Sequence, residues 1–340
     1  MLLDSPERAL RRAVPDLAAR YAPLDLAELP TPVRVLPELA DTWGLSAFFV
    51  KDDAVTSAAY GGTKVRALEW LLGAARRAGR QGVVTIGPWG SHHAVATATF
   101  ARKSGLGCRL VLFPQPDGPE VAWARTHLPE LAACHWSGWL GFPLRLLAAR
   151  SRRLGATRPF PIAAGGTSPV GVLGAAEGAL EVAYAIRVGT LPCPDDVIVA
   201  AGSCGTAAGL LLGFGLAGPP YPRIVAVRVT SRAVARSGRV RALARKASRL
   251  VVSAGGPKPR AFPELAWIDD LAGAGYGHAT GVGREVVSVG RDRAGLDLET
   301  TYTAKALSVA HLRRLEGRSV LFWNTYAGAV TADGRSAEAP

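Results

Sequence analysis

A lysine that follows two glycines and a threonine has the clearest chemical potential in this sequence. It is Lys64, in the segment Tyr60-Gly61-Gly62-Thr63-Lys64. Two glycines let a backbone turn tightly and approach another group closely. A helix N-terminus and burial both disfavour the ammonium form and so lower the pKa of a lysine. A neutral amine is what Schiff-base chemistry requires, whereas the alternative is a solvent-exposed residue in the first turn of a helix.

A second candidate is the glycine-rich segment that contains Ser203, Cys204, Gly205 and Thr206. It follows an apolar strand and precedes an apolar helix, so its backbone N–H groups would form an anion cradle suited to phosphate. The segment matches neither the Gly-Lys-Ser/Thr nucleotide loop nor the dinucleotide-binding glycine pattern. It predicts either a phosphate site or a plain strand-to-helix turn.

Ser91, His92 and His93 form the third candidate. Ser91 is predicted to cap a helix directly after a strand, where it would bind a carboxylate, move a proton or only cap the helix. Adjacent histidines diverge by about 100° on a helix and do not easily share a metal ion. No zinc-type or serine-hydrolase motif occurs, so we predict no metal site and no serine nucleophile.

The elements that must position these residues alternate between helix and strand, which predicts an α/β fold with parallel sheets. Residues 114–161 are irregular and are expected to hold one or two helices. The uncharged stretch 197–218 is long enough to span a membrane, but its central glycines favour a strand, a loop and a buried helix. Predicted strands are 82–87, 108–113, 197–201, 224–229 and 320–323, and predicted helices are 64–78, 92–103, 171–187, 207 onward, 231–249, 281–293 and 302–316.

Composition indicates a folded chain of about two domains, since its 340 residues are 49% hydrophobic and 20% charged. The net charge of +13 comes with few lysines and many arginines, as a coding bias would produce. The basic helix at 231–249 has no interleaved aromatic residues, so a solvated face is favoured over nucleic-acid binding. The N-terminus does not have the pattern of a signal peptide, and four cysteines without a CxxC pair predict the cytoplasm.

Taken in order, these motifs resemble the pyridoxal-phosphate-dependent D-cysteine desulfhydrase and 1-aminocyclopropane-1-carboxylate (ACC) deaminase family, whose fold is tryptophan-synthase-β-like. The resemblance runs from Leu29 to Gly328. It rests on Leu-Pro-Thr-Pro, Tyr-Gly-Gly-Thr-Lys with Arg66 and Glu69, Gly-Ser-His-His-Ala, Gly-Gly-Thr-Ser-Pro-Val-Gly, Gly-Ser-Cys-Gly-Thr, Tyr-Thr-Ala-Lys-Ala and Phe-Trp-Asn-Thr.

The resemblance implies a role for each matching residue. Lys64 would carry the cofactor and act as general base, and either Thr325 or Thr303 would face its pyridine nitrogen. Implied catalytic residues are Lys64, Ser91, Tyr276 and Tyr302; implied cofactor contacts are Lys64, Thr63, Ser203, Cys204, Gly205, Thr206, Thr303 and Thr325; implied substrate contacts are Ser91, His92 and His93.

The resemblance also implies an architecture and an activity. Residues 1–50 and 165–340 would form a large cofactor domain, and residues 51–164 a smaller one, in a homodimer; residues 331–340 would be a frayed tail. The reaction would be β-elimination from D-cysteine or a related β-substituted amino acid, giving a 2-oxo acid and ammonia. ACC deamination, a racemase or biosynthetic enzyme on this scaffold, and a non-catalytic binding protein that uses the basic helix remain as alternatives.

Departures from the family pattern indicate an altered pocket. His92 replaces an amide and can charge near neutral pH, so we expect it to limit the accepted substrates. Thr303 stands where ACC deaminases have glutamate. A neutral threonine would make protonation of the pyridine nitrogen less favourable, so the cofactor ring would be a weaker electron sink. A weaker sink would favour loss of a thiol over opening of the cyclopropane ring. The other departures are Thr63 for asparagine, Cys204 for glycine, Glu299-Thr300-Thr301 for Asp-Pro-Val, and Thr325-Tyr326-Ala327 for Thr-Gly-Gly.

Overall fold

The computed structural model describes residues 2–326, so the predicted tail at 331–340 lies outside the described residues. Within them, two sheets form. The strands are β1 (Val33–Val35), β2 (Ala47–Asp52), β3 (Gly82–Pro88), β4 (Gly107–Phe113), β5 (Ala133–Trp136), β6 (Phe160–Pro161), β7 (Asp196–Ala201), β8 (Arg223–Arg228), β9 (Leu265–Ile268) and β10 (Ser319–Asn324).

One sheet has six strands in the order β1-β2-β10-β7-β8-β9, and the other has four in the order β5-β4-β3-β6. Every neighbouring pair is parallel except β1 with β2. Parallel strands need helical crossovers, and these cover the sheet faces. The α/β class with parallel-rich sheets is therefore confirmed.

Twelve α-helices accompany the strands within residues 2–326. They are α1 (Ala9–Ala13), α2 (Pro15–Tyr21), α3 (Pro37–Trp43), α4 (Lys64–Arg77), α5 (His92–Lys103), α6 (Pro119–Leu131), α7 (Phe142–Ser151), α8 (Pro169–Arg187), α9 (Gly205–Ala217), α10 (Ser237–Ser253), α11 (Gly281–Ala294) and α12 (Thr303–His311).

Most predicted elements form close to their expected limits, and the uncharged stretch 197–218 is β7, a loop and α9. The basic helix α10 begins at Ser237 instead of 231, because residues before it form a turn in which Val234 and Ala235 donate to the Ser231 carbonyl. Helix α12 ends before 316, since Arg313 adopts a left-handed φ of 53°. The elements of the first 52 residues, the short strands β5 and β6, and strand β9 were not predicted.

Helix α8 lies in the helical layer of the larger sheet and packs against both α4 and α9. It is long and apolar enough to cross a membrane, but 72% of its apolar window is buried inside the fold. An added Cβ at Gly174 would lie 2.1 Å from the Arg66 carbonyl oxygen of α4, and one at Gly213 of α9 would lie 2.3 Å from the Ala176 carbonyl oxygen of α8. Glycine thus lets α4 and α9 pack against α8 at backbone distance, which fixes their separation.

A buried ion cluster fastens the start of α4. The Arg66 guanidinium donates to both Asp53 carboxylate oxygens at 2.8–3.1 Å and to Glu181 at 2.7 Å, and Lys51 completes the charge balance with a 2.6 Å bond to Glu181. Trp323 donates to Asp53 at 2.9 Å. Burial alone would raise the pKa of Asp53, but the Arg66 guanidinium holds it below its usual value. The cluster joins β2, α4, α8 and β10.

Removing Arg66 should therefore be costly. Arg66→Met leaves two carboxylates buried against a single lysine, and we expect the free energy of unfolding to fall by about 3–5 kcal/mol. Urea denaturation measures this. Arg313→Met, which breaks an exposed pair with Glu316, is the control and should cost less than about 1 kcal/mol. Equal losses in the two variants would contradict the structural importance of the cluster.

Candidate active site

A cavity of about 500 Å³ opens between the two sheets, where segments that follow β3, β7 and β10 meet. Carboxyl ends of parallel strands are the usual place for a ligand in α/β proteins. Every sequence-predicted site residue except Thr303 lies on its wall: Thr63, Lys64, Ser91, His92, His93, Ser203, Cys204, Gly205, Thr206, Tyr276, Tyr302 and Thr325.

Lys64 begins α4 at the inner end of the cavity. The preceding turn is held in place because the Gly62 N–H donates to the Asp53 carbonyl at 2.8 Å and the Thr63 N–H donates to the Thr325 carbonyl at 3.3 Å. Gly62 has a φ of 89°, which glycine adopts without strain. Burial lowers the pKa of Lys64 to about 8. Among residues 2–326 no side chain forms an ion pair or hydrogen bond with its amine.

The glycine-rich loop between β7 and α9 lies on the same wall as Lys64. An added Cβ at Gly205 would be 2.9 Å from the Thr167 hydroxyl, which itself donates to Ser203 at 2.6 Å. Cys204 has a φ of 74°, which is unusual for a residue with a side chain, and its sulfur is buried. The first N–H groups of α9 have no partner within their own helix, and they suit an anion.

Ser91 caps α5 as predicted, since its hydroxyl oxygen accepts the Ala94 N–H at 3.3 Å. An added Cβ at Gly87 would lie 2.6 Å from that hydroxyl, so only glycine at the end of β3 leaves room for the cap. The hydroxyl hydrogen remains available to a ligand. Together with the first N–H groups of α5, it gives the cavity a second anion-binding corner.

His92 forms a cluster with two tyrosines that were not predicted as site residues. Its Nδ1 lies 2.6 Å from the Tyr60 hydroxyl, and its ring packs edge-on against Tyr326 at 5.4 Å. Burial raises the pKa of Tyr60, so the phenol keeps its proton and donates to Nδ1. Burial lowers the pKa of His92. The expectation that His92 charges near neutral pH is therefore wrong: the ring is neutral and carries its hydrogen on Nε2.

His93 is attached to the smaller sheet. Its Nε2 lies 3.0 Å from the Thr85 hydroxyl, which donates in turn to the Ile162 carbonyl at 3.0 Å. The hydroxyl therefore accepts from Nε2–H. Burial lowers the pKa of His93 to about 3. His93 is on the cavity wall as a neutral, anchored ring.

The rings of Tyr276 and Tyr302 are in edge-to-face contact on the cavity wall. Their centroids are 5.6 Å apart and their planes are nearly perpendicular. An added Cβ at Gly202 would lie 2.6 Å from the Tyr302 ring, so this tyrosine packs directly on the glycine-rich loop. Burial raises the pKa of both phenols. Both therefore remain protonated donors at neutral pH.

The expected position of Thr303 is corrected by the structure. Its side chain is fully buried behind the wall, where its hydroxyl lies 3.0 Å from a Glu299 carboxylate oxygen. The same carboxylate accepts the N–H groups of Tyr302 at 2.9 Å and Thr303 at 2.7 Å at the start of α12. Thr325, the other threonine proposed for the ring nitrogen, does line the cavity. The preference for thiol loss that was inferred from Thr303 thus loses its geometric basis.

Several wall residues were not predicted, chiefly Tyr60, Gln115, Trp139, Glu299 and Tyr326. Tyr60, Glu299 and Tyr326 carried a signal, since all three lie within segments singled out in the sequence. The others belong to connecting segments, and only the fold brings them to the cavity.

A family model described as pyridoxal-phosphate dependent enzyme matches residues 24–325. The chain belongs to this family. D-cysteine desulfhydrase of Salmonella choleraesuis (strain SC-B67) is 32% identical over 302 residues, which cover 85% of this chain and 87% of that protein. D-cysteine desulfhydrase of Salmonella enteritidis PT4 is also 32% identical, with the same coverage.

Solved structures agree with the fold. The crystal structure of an ACC deaminase homologue superposes with a TM-score of 0.77 at 27% identity, covering 92% of this chain and 94% of that one. Serine racemase from Dictyostelium discoideum gives a TM-score of 0.61 at 12% identity, covering 92% and 96%, and supports the fold alone. The predicted family and the tryptophan-synthase-β-like fold are confirmed, and so is the pyridoxal phosphate cofactor.

The residues on the wall fit this cofactor, which carries an aldehyde and a phosphate. Lys64 offers a partly buried amine without a side-chain partner in the described chain. The Thr63 hydroxyl is buried and, among residues 2–326, has no hydrogen-bond partner, so a polar ligand atom would satisfy it. The loop before α9 supplies the anion cradle on the same wall.

Cofactor loading should depend on the protonation of Lys64. Because burial lowers its pKa to about 8, the neutral, nucleophilic amine is the minor form below pH 8 and the major form above it. We expect the rate at which apoenzyme takes up pyridoxal phosphate to rise as the pH increases through about 8. Stopped-flow visible absorbance measures this rate; a rate that does not change between pH 6.5 and 9 would contradict the assignment.

Proposed function

We propose that this enzyme catalyses β-elimination from D-cysteine or a related β-substituted amino acid. D-Cysteine and water would give pyruvate, hydrogen sulfide and ammonia. The observation that carries the proposal is the unpartnered, low-pKa amine of Lys64 in a cavity that also presents Ser91 and two protonated phenols. The names of the Salmonella relatives support the choice of substrate.

Lys64 would hold the cofactor and move the substrate α-proton, because its lowered pKa lets one amine serve as nucleophile and base near neutral pH. When bound, pyridoxal phosphate accepts the electron pair left by the breaking α-bond. The N-terminal N–H groups of α9, with Ser203 and Thr206, would hold the phosphate. Thr63 and Thr325 would provide the polar contacts to the ring.

Ser91 and the start of α5 would bind the substrate carboxylate, as a helix N-terminus favours an anion. His92 offers an Nε2–H donor beside them and His93 a neutral ring. Tyr276 and Tyr302 keep their protons because burial raises their pKa values, so either phenol would protonate the departing sulfur. Their contacting rings line the same cavity as the serine.

Deamination of ACC is the second candidate, since the solved structure with a TM-score of 0.77 is described as an ACC deaminase homologue. It needs opening of a carbon–carbon bond instead of loss of a thiol. A racemase or a biosynthetic reaction would use the same lysine on the same scaffold. Comparing D-cysteine with ACC separates the first two candidates, and optical rotation of recovered substrate detects the third.

The proposal extends to the setting of the enzyme. We place the large cofactor domain at residues 1–50 and 165–340 and the small one at 51–164, in keeping with the six-stranded and four-stranded sheets. We propose a homodimer that works in the cytoplasm with an amino acid as its small-molecule substrate. Four free cysteines are consistent with a reducing compartment.

The function is tested by product formation. We expect the holoenzyme to release pyruvate and sulfide from D-cysteine with a higher kcat/KM than it shows on ACC. Lys64→Ala should lower turnover by about 10³-fold or more, since it removes both the anchor and the base. Lys103→Ala, an exposed lysine at the end of α5, is the matched control and should retain activity. Higher efficiency on ACC would contradict the desulfhydrase assignment.

Substrate selection is expected to depend on His92. His92→Asn removes the ring that Tyr60 and Tyr326 hold, and we expect relative kcat/KM values across D- and L-amino acids to change by roughly tenfold or more. The visible absorbance of the bound cofactor should remain. His127→Asn, an exposed histidine on α6, serves as control. An unchanged substrate ranking would show that His92 does not contact the substrate.

A further inference from the structure

A buried lysine outside the cavity has no role in the function proposed above. Lys305 lies in the first turn of α12, three residues after Tyr302, and its side chain is fully buried. It is not among the residues that line the cavity. Burial lowers its pKa to about 8, and the N-terminus of a helix is an unfavourable place for an ammonium. A group placed at such a cost needs a structural reason.

The hydrogen bonds of Lys305 supply that reason. Its ammonium donates to the Ala272 carbonyl at 2.8 Å and to the Gly275 carbonyl at 2.7 Å. Those same carbonyls accept the N–H groups of Gly275 and His278, at 3.2 and 3.4 Å, and so close two successive turns, the second of which contains Tyr276. One ammonium thus joins α12 to both turns of the loop.

The backbone of that loop is rich in glycine. Three of its residues are glycines with positive φ, Gly273 at 59°, Gly275 at 115° and Gly277 at 76°. Glycine permits many backbone conformations, so a segment of this composition is intrinsically mobile. The loop nevertheless has to present Tyr276 to the cavity at a defined distance from Tyr302.

We infer that Lys305 is a positioning residue that fixes the two phenols relative to each other by fastening the Tyr276 loop to the helix that begins after Tyr302. The backbone segments that carry Tyr276 and Tyr302, whose ring centroids are 5.6 Å apart, are then joined by one side chain. The inference rests on the proposed function of the two tyrosines as proton donors. Lys305 itself touches neither substrate nor cofactor.

Lys305→Met keeps the length of the side chain but removes the donor, and Lys305→Gln restores a neutral donor. In the Met variant of the holoenzyme, we expect kcat on D-cysteine to fall roughly 10- to 100-fold, with KM and cofactor absorbance nearly unchanged. The Gln variant should recover part of this loss. Lys246→Met, at an exposed position on α10, is the control and should match the wild type.

A double-mutant cycle separates positioning from general structural damage. If Lys305 acts through Tyr276, the Met substitution should cost less than about twofold in a Tyr276→Phe background. The full loss in that background would overturn the inference. Tyr276→Phe with unchanged turnover would show that Tyr276 is not the proton donor and would overturn the inference that Lys305 positions it for catalysis.

Hydrogen exchange tests, independently of activity, whether Lys305 holds the Tyr276 loop in place. We expect the amides of residues 271–278 to exchange at least tenfold faster in holoenzyme with Lys305→Met, while α8 and α9 keep their protection. Unchanged exchange in the loop would overturn the inference even if activity fell. Faster exchange together with normal kcat would show that Lys305 holds the loop without affecting catalysis, and this result would also overturn the inference. Absence of any product with the wild type would instead contradict the proposed function.

Discussion

The distance between one amine and one helix N-terminus is the constraint on which the rest of the structure depends. A cofactor with an aldehyde at one end and a phosphate at another needs Lys64 and the start of α9 at a fixed separation. Helix α8 sets that separation, because α4 and α9 both pack on it where glycine removes the Cβ atoms. The Arg66–Asp53–Glu181 cluster then holds α4 to the larger sheet.

The partners of the lysines in the described part of the fold leave one partly buried amine on the cavity wall without an ion pair. Lys51 is paired with Glu181, and Lys305 is bound to loop carbonyls. Within residues 2–326 this leaves Lys64, a partly buried lysine, with neither an ion pair nor a hydrogen bond to its amine, in the cavity where an aldehyde would bind. Three other ionisable groups on the wall are held by protein partners: His92 by Tyr60, His93 by Thr85, and Glu299 by the N–H groups of α12.

The sequence patterns predicted those features of the fold that depend on residues close together in the chain. The helix at Lys64, the cap at Ser91 and the turn before α9 follow from glycine, serine and apolar periodicity, and the structure brings all three to one cavity. The family and fold followed because the motifs occur in a fixed order. Elements within the first 52 residues were missed, since they are short and gain their stability from packing against distant parts of the chain.

The predictions that were wrong concern the direction of the Thr303 side chain and the protonation of His92. Thr303 was expected at the cofactor but forms hydrogen bonds with Glu299 four residues earlier, which no periodic pattern indicates. His92 was expected to charge, but burial lowers its pKa, and the Tyr60 hydroxyl, which is distant in sequence, lies 2.6 Å from its Nδ1. The His92 contact depends on a partner that only tertiary structure supplies, whereas the Thr303 contact is a local one at the start of α12.

The central claim is that Lys64 is the residue that carries the cofactor. Borohydride reduction of the holoenzyme fixes the cofactor covalently to its lysine, and peptide mapping by mass spectrometry then locates it. We expect the label on the peptide that begins α4, at Lys64. A label at Lys51 or Lys305, the two fully buried lysines, would contradict the account.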